Sequence, residues 1–474
     1  MFSAVFSPVL SHFTLRRPAL TFCALSALLL GACTTATPPG SAPMPALPAA
    51  AAPAPAANPA PVAAPARPAD EALRARTTAE LPAYLQTLKT LVGMESGSRD
   101  LEGLALLADH VAGRLRSAGM DVQVRPTKAP DFHPQLKGAV LGPMVYATRR
   151  GTGSKKVLLI AHMDTVYAKG MGAKQPFRID GDRAYGLGIA DDKQGVALIL
   201  HVVDLLARAG FTDYAELGVL INGDEEIGSP GSSAFITQLG SEYDAVLSFE
   251  GGGSAAATGS DMVRLATSSI AIVEMKVTGK ASHAGAAPDQ GRNALYELAH
   301  QMLKSRQFGD PAKGLQINWT VANAGGSRNV IPAEATGIAD VRSLTNQDLD
   351  LMETALKKSI EDKLIPDTKI DLSFYRSRPA FVANAAARAL AQHAVLVGGE
   401  IGLPISIRDR ATGGGTDAAF AGLRPKGGVL ESFGLRGFGS HSNDDEYVLV
   451  SNVVPRLYLA TRMVMEVGRG QVQW

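Results

Sequence analysis

The chain has 474 residues, 46% of them hydrophobic and 19% charged, with a formal net charge of +1. A chain of this length and apolar content can bury a large core and fits roughly two or three domains, so it is globular over most of its span. The near-zero charge, with no basic stripe interleaved with aromatics, excludes nucleic acid as the expected partner and leaves small molecules.

In chain order, residues 1–33 read as an export signal. Arg16-Arg17 precede an apolar segment from Pro18 to Leu30 that is too short and wrongly flanked for a stable membrane span. Leu30-Gly31-Ala32-Cys33 resembles a bacterial lipoprotein cleavage box, so the expected product is a periplasmic or cell-envelope lipoprotein anchored to the membrane at Cys33. An ordinary secretory signal cut near small residues is the alternative. Cys23 and Cys33 are the only cysteines, so the exported part has no disulfide, no cysteine nucleophile and no thiolate metal ligand. Residues 34–77 form an Ala/Pro-rich linker that cannot pack a core; at about 3 Å per residue its most biased part reaches on the order of 100 Å.

Residues 78–267 are expected to open the catalytic domain. A helical pattern runs from Leu81 to about Gly119, and another from about Lys193 to a stop at Gly210. Short hydrophobic runs alternate with these helices, which implies a mostly parallel sheet covered on both faces, hence an α/β fold. Residues 268–379 have a different rhythm: strand Ile270 to Thr278, helix Asn293 to Leu303, strands Leu315 to Val321 and Ala335 to Val341, helix Gln347 to Ile360, strand Ile370 to Phe374. That order is the ferredoxin-like β-α-β-β-α-β motif, read as an inserted α+β domain. Residues 380–474 complete the catalytic domain.

Four of the hydrophobic runs lead to acids or histidines: Val157–Ala161 to His162 and Asp164, Leu217–Ile221 to Glu225 and Glu226, Ala245–Phe249 to Glu250, and Gly428–Phe433 to His441. Open α/β sheets place their chemistry beyond the carboxyl ends of the strands. Amide hydrolysis needs a nucleophilic water, a Lewis acid and a base, roles that two metals sharing one carboxylate can divide. Asp191, at a helix start, is the candidate bridge; His162 with Glu250 and Glu226 with His441 complete the two shells. Imidazole and carboxylate donors without sulfur suit two zinc ions per chain, with cobalt or manganese as substitutes. Asp164 is placed to orient the His162 ring, and Glu225, adjacent to a ligand yet pointing elsewhere, is the candidate general base. Each element alone has a bland reading as a helix cap, a strand-end polar group or a solvated acidic pair; their joint order does not. His110, His201, His300 and His393 lie in helical patterns as core or surface residues, and His133 lies in a loop.

With those residues in hand, the chain resembles the di-zinc metallopeptidase family of glutamate carboxypeptidases, aminoacylases and succinyl-diaminopimelate desuccinylases. The resemblance spans roughly Leu81 to Gly468 and rests on His162-Met163-Asp164-Thr165-Val166-Tyr167, Gly188-Ile189-Ala190-Asp191-Asp192-Lys193, Asp224-Glu225-Glu226, Leu247-Ser248-Phe249-Glu250, Gly279-Lys280-Ala281-Ser282-His283-Ala284-Gly285 and Thr412-Gly413-Gly414-Gly415-Thr416-Asp417. It implies the same bridge, base and ligands, a cis peptide after Asp191, and an inserted domain acting as lid and homodimer contact. It further implies that His283 reaches the neighbouring subunit's site to stabilise the oxyanion, and that Asn329, Arg342, Arg378, Gly414 and Thr416 hold the substrate. Arg342 suits a free carboxylate, as a carboxypeptidase requires. Glutamate-releasing relatives carry a lysine where Met262 stands here, and Arg264, two residues on, is the cation that could replace it.

The expected activity is hydrolysis of an amide beside a free carboxylate, releasing C-terminal glutamate or a similar amino acid from small peptides or N-acyl amino acids, folate-type compounds included. The alternatives are an aminoacylase or general dipeptidase of the same family and, from a different class, an inactive lipoprotein that binds metal or peptide.

Overall fold

The computed structural model describes residues 67–252 and 260–474. The expected signal, Cys33 and residues 34–66 of the Ala/Pro-rich linker fall outside those residues. Among the described residues, no helix is long and apolar enough to cross a membrane.

A six-stranded sheet forms the centre, in the order Asp121–Lys128, Val140–Arg150, Glu216–Gly223, Lys156–His162, Ala245–Ser248, Gly428–Leu430. The last four are mutually parallel, and the first two form an antiparallel hairpin at one edge. In Lys156–His162 the alternation of a strand sorts its side chains between two cores: Val157, Leu159 and Ala161 join one cluster, Leu158 and Ile160 the other. Burial on both faces is why this strand reads as an unbroken apolar run. Helices Glu71–Gly93, Gln194–Arg208, Ala385–Glu400 and Val453–Gly468 contribute to the larger cluster, while Ser233–Gly240 and the short Ala418–Ala421 contribute to the smaller.

The single helix expected from Leu81 to Gly119 is two helices, Glu71–Gly93 and Leu101–Ser117. The first begins at Glu71, inside the segment expected to be linker, with Asp70 as its N-cap. The break is held from outside: Lys193 Nζ donates to the Met94 carbonyl at 2.6 Å, and Ser98 N–H donates to the Thr165 carbonyl at 3.0 Å. Asp100 then caps the second helix, and Gly119, at φ +82°, ends it.

Strands Ser269–Thr278, Gln316–Ala324, Glu334–Ser343 and Lys369–Arg378 make a separate, wholly antiparallel sheet. Numbered by chain position, they lie in the order 2-3-1-4, the ferredoxin-like arrangement, with helices Ala294–Ser305 and Asn346–Ser359 between them. Ala271, Val273, Met275 and Val277 are buried on one face, whereas Ile270 and Ile272, on the other, border the cavity described below. The chain enters this part through Ala266–Thr267 and leaves through Phe381–Val382, which pair with each other.

Candidate active site

Strand ends gather the candidate ligands. His162 closes Lys156–His162, Glu225 and Glu226 stand in a helical turn after Glu216–Gly223, and Glu250 follows Ala245–Ser248 by two residues. His441 arrives on the long loop after Gly428–Leu430, at φ +65°. Asp191 lies between these strands, and its peptide bond to Asp192 is cis.

His162 Nε2 lies 3.0 Å from Asp191 Oδ1 and 3.5 Å from Glu250 Oε1. His441 Nε2 lies 3.3 Å from Asp191 Oδ2 and 3.1 Å from Glu226 Oε2. Two ligand triads thus form, His162–Asp191–Glu250 and Asp191–Glu226–His441, and Asp191 presents a different oxygen to each. This is the geometry of a bridging carboxylate.

The electrostatics ask for cations. Burial, with the neighbouring Asp191 charge adding to it, pushes Glu226 up to about 7 and Glu250 up to about 8. Hydrogen bonds to Asp191 and Glu226 push His441 up to about 10. Burial also works against an ionised Asp191, but hydrogen bonds from His162 and His441 outweigh it and hold its carboxyl below the usual range. Four carboxylates, those of Asp191, Glu225, Glu226 and Glu250, crowd around two imidazoles, and Glu226 Oε1 is buried with no partner among the described residues. Oxygen and imidazole nitrogen donors in this number fit a pair of divalent ions.

Asp164 does more than orient a ring. His162 Nδ1 donates to the Asp164 backbone carbonyl at 3.1 Å, with the carboxylate farther off at 3.5 Å. The carboxylate instead accepts the N–H groups of Glu225 (3.0 Å) and Glu226 (3.1 Å) and the Ser98 hydroxyl (2.8 Å). One buried aspartate therefore fixes the turn that carries both the candidate base and a candidate ligand.

Arg378, expected at the substrate, borders the same cavity as Glu225 and is also paired within the protein. It is 3% exposed; its guanidinium pairs with the Glu225 carboxylate and donates to the carbonyls of Glu225 and Gly415, each at 2.8 Å. Burial raises the Glu225 pKa and Arg378 opposes that rise. Arg342 is held bidentately by Asp340 (2.8 and 3.0 Å) and donates to the Gly413 carbonyl at 3.1 Å. Arg342, Gly414, Thr416 and Arg264 all border a cavity of about 650 Å³ shared with Asp191, Glu225, Glu226, Glu250 and His441. Met262 is buried beneath, off the cavity wall. His283 and Asn329 stand apart on adjoining exposed loops, the Ala284 N–H donating to the Asn329 carbonyl at 2.9 Å, and neither borders the cavity of its own chain.

Two contributors were not legible in the sequence. The buried Glu446 accepts the N–H groups of Gly188 (2.8 Å), Ala190 (2.8 Å) and Asp191 (3.2 Å) and the Tyr167 hydroxyl (2.5 Å), so it sets the loop that carries Asp191. It is the last of three consecutive acids, and nothing in the string shows which one folds inward. His133, expected only as a loop residue, borders the cavity.

The profile of peptidase family M20/M25/M40 matches residues 158–466, the stretch holding every candidate ligand. The chain belongs to that family. It is 44% identical over 402 residues to Carboxypeptidase G2 of Pseudomonas sp. (strain RS-16), covering 85% of this chain and 93% of that one, and is a metallo-carboxypeptidase. It is 26% identical over 335 residues to a succinyl-diaminopimelate desuccinylase of Xanthomonas oryzae, across 67% of this chain and 86% of that one. In fold it matches an M20 metallo-carboxypeptidase from Sulfolobus solfataricus, with a TM-score of 0.63 at 17% identity over 81% of this chain and 99% of that one. A dinuclear metal-binding M20 peptidase of Bacillus subtilis aligns with a TM-score of 0.56 at 15% identity over 84% and 99%.

Proposed function

We propose that this metallo-carboxypeptidase hydrolyses the amide bond that joins a C-terminal glutamate, or a similar amino acid bearing a free carboxylate, to a small peptide or acyl group. The observation that carries the reading is the pair of triads sharing Asp191, with Glu225 beside them. The likeness to Carboxypeptidase G2 over most of both chains supports it. His162, Glu250, Glu226, His441 and Asp191 would hold two zinc ions, with cobalt or manganese as substitutes. When bound, the ions supply Lewis acidity and make water nucleophilic at neutral pH.

Glu225 takes the proton of the attacking water and passes it to the leaving amine. Burial raises the Glu225 pKa while Arg378 opposes that rise, and the Asp164 carboxylate keeps the Glu225 backbone in place. Arg342, beside the Gly413-Gly414-Gly415 turn and Thr416, takes the free carboxylate, and Arg264 faces an acidic side chain. His283 serves a second copy of the chain. Its Nδ1 accepts the N–H groups of Gly285 (3.1 Å) and Ala286 (3.0 Å), which leaves the proton on Nε2 for a developing oxyanion. Helix Ala294–Ser305 exposes Leu295, Tyr296 and Leu303, an apolar surface for that second copy. Residues 1–33 export the chain and anchor it through Cys33, 34–66 tether it, 67–267 with 380–474 form the catalytic domain and 268–379 the lid.

The test is hydrolysis by metal-loaded protein of N-acyl glutamates, folates, dipeptides and other N-acyl amino acids. Glutamate release is expected, together with its loss in a Glu225→Gln variant that still binds metal. The reading fails if protein holding two zinc ions cleaves no acyl-amino acid and Glu225→Gln changes nothing.

A further inference from the structure

The hairpin at the sheet edge does not close tightly. Between Asp121–Lys128 and Val140–Arg150 the chain makes a compact loop, pinned by Ala129 N–H to the Ala139 carbonyl (2.9 Å) and Gly138 N–H to the Pro130 carbonyl (3.2 Å). His133 lies within it, 2% exposed, and borders the cavity together with Gln135 and Leu136. Its Nδ1 accepts two backbone N–H groups, those of Gln135 (3.2 Å) and Leu136 (3.1 Å). The proton is therefore on Nε2, and that buried donor has no partner among the described residues. Buried polar groups are nearly always paired, so an orphan donor in a residue that lines a cavity points to a ligand.

The ring is held rigidly. It packs against Tyr375 of strand Lys369–Arg378, with ring centroids 4.4 Å apart, so the loop spans from the central sheet to the antiparallel one. Register relates this point to the proposed substrate-binding groups. Ile270 is opposite both Arg342 and Arg378, whereas Ile272 is opposite Asp340 and Tyr375. Tyr375, on which His133 packs, thus lies in a row about 7 Å along the sheet from the one that contains the Glu225 counter-charge and the proposed carboxylate clamp. Asp340 occupies the same row as Tyr375, which disfavours a second anion there. His133 Nδ1 accepts two N–H groups, which makes the ring a neutral donor through Nε2, and burial lowers its pKa in the same sense.

We propose that loop 129–139 is a substrate-recognition element in which His133 Nε2–H donates to a neutral acceptor, a carbonyl oxygen or ring nitrogen, on the acyl portion of the substrate. The proposal rests on the amide-hydrolase reading above, in which the leaving amino acid is held by Arg342. Exposed Phe132, 6.5 Å from Tyr375 by ring centroids, extends the same wall outward with an aromatic surface.

Two substrates with a common leaving group test it: benzoyl-glutamate, which has no distal acceptor, and 4-acetamidobenzoyl-glutamate, which has one. Wild-type protein is expected to favour the second in kcat/KM by about tenfold, the order of one satisfied buried donor. His133→Phe keeps the packing on Tyr375 and should erase that preference while leaving benzoyl-glutamate hydrolysis and metal content unchanged; His133→Gln, with its own N–H donors, should restore part of it. A preference that survives in His133→Phe overturns the assignment. So does the absence of any preference in wild type, a result that needs no variant to fold. Hydrolysis of neither substrate by protein holding two metal ions brings down the underlying reading instead, and the loop assignment with it.

Discussion

Replacing Glu446 by glutamine should weaken metal binding without touching any proposed ligand. Glu446 Oε1 accepts from Ala190 and Asp191 N–H, and Oε2 from Gly188 N–H and the Tyr167 hydroxyl. A glutamine keeps one acceptor oxygen. Its best orientation aims that oxygen at Ala190 and Asp191 and its NH₂ at Gly188 and Tyr167, where the hydroxyl can turn to accept but the Gly188 N–H cannot. One buried backbone donor is then orphaned, at a cost of about 1–3 kcal/mol, and the remaining bonds lose their charge assistance. Glu446→Ala orphans all of the backbone donors and should cost more, on the order of 4 kcal/mol. Because Asp191 hangs from this loop, metal affinity should fall about 10- to 100-fold, the usual effect of removing a group that orients a ligand. Denaturant unfolding measures the stability term, and competition with a chromophoric chelator measures the affinity. Unchanged metal affinity in a folded Glu446→Gln protein would show that the loop holds Asp191 without this carboxylate.

Arg378→Met removes the charge that opposes the burial-driven rise of the Glu225 pKa. The proposed base must be ionised to act, so the acid limb of the kcat/KM profile should move to higher pH and activity at pH 7 should fall by at least about tenfold; a profile that stays in place would exclude the pairing as an influence on the base. Glu466, bonded to His393 (2.5 Å) and Arg67, is held down to about 2 from its ordinary 4.5, because those hydrogen bonds outweigh its burial. A carboxyl whose pKa is depressed by folding stabilises the fold above its unfolded value and loses that contribution as pH falls through its folded one. The wild-type protein should therefore lose stability between pH about 4.5 and about 2, and Glu466→Gln should flatten that part of the curve in acid-unfolding experiments.

What the amino-acid string displays well is whatever depends on neighbours in sequence. Buried parallel strands must be apolar on both faces, so Val157–Ala161 and Leu217–Ile221 stand out, and the polar residues that end them mark the site. The alternating pattern of Ile270 to Thr278 likewise marks a half-buried antiparallel strand. What the string hides depends on partners far along the chain. The break at Met94 exists because Lys193 and Thr165 bind it, and a helical pattern on one side carries no sign of either. Arg378 reads as a cation near a substrate, and its pairing with Glu225, across 153 positions, shows only in the fold. The Asp164 carboxylate looks like a ring-orienting acid by its two-residue spacing, yet its short bonds go to a turn on another strand. His133 shows no pattern of its own; its meaning comes from Tyr375 and from the cavity.

The pairing of Arg378 with Glu225 also bears on how this chain could be re-engineered. Arg378 ends the last strand of the antiparallel sheet, Lys369–Arg378, while Glu225 belongs to the central one. A chimera that exchanged residues 268–379 as a block, to borrow another relative's substrate preference, would carry the counter-ion of the base away with the graft. Whatever replaced it would reset the proton chemistry along with the specificity. A cut placed before Ser377 would separate the two properties and let the inserted part be varied while the base keeps its partner.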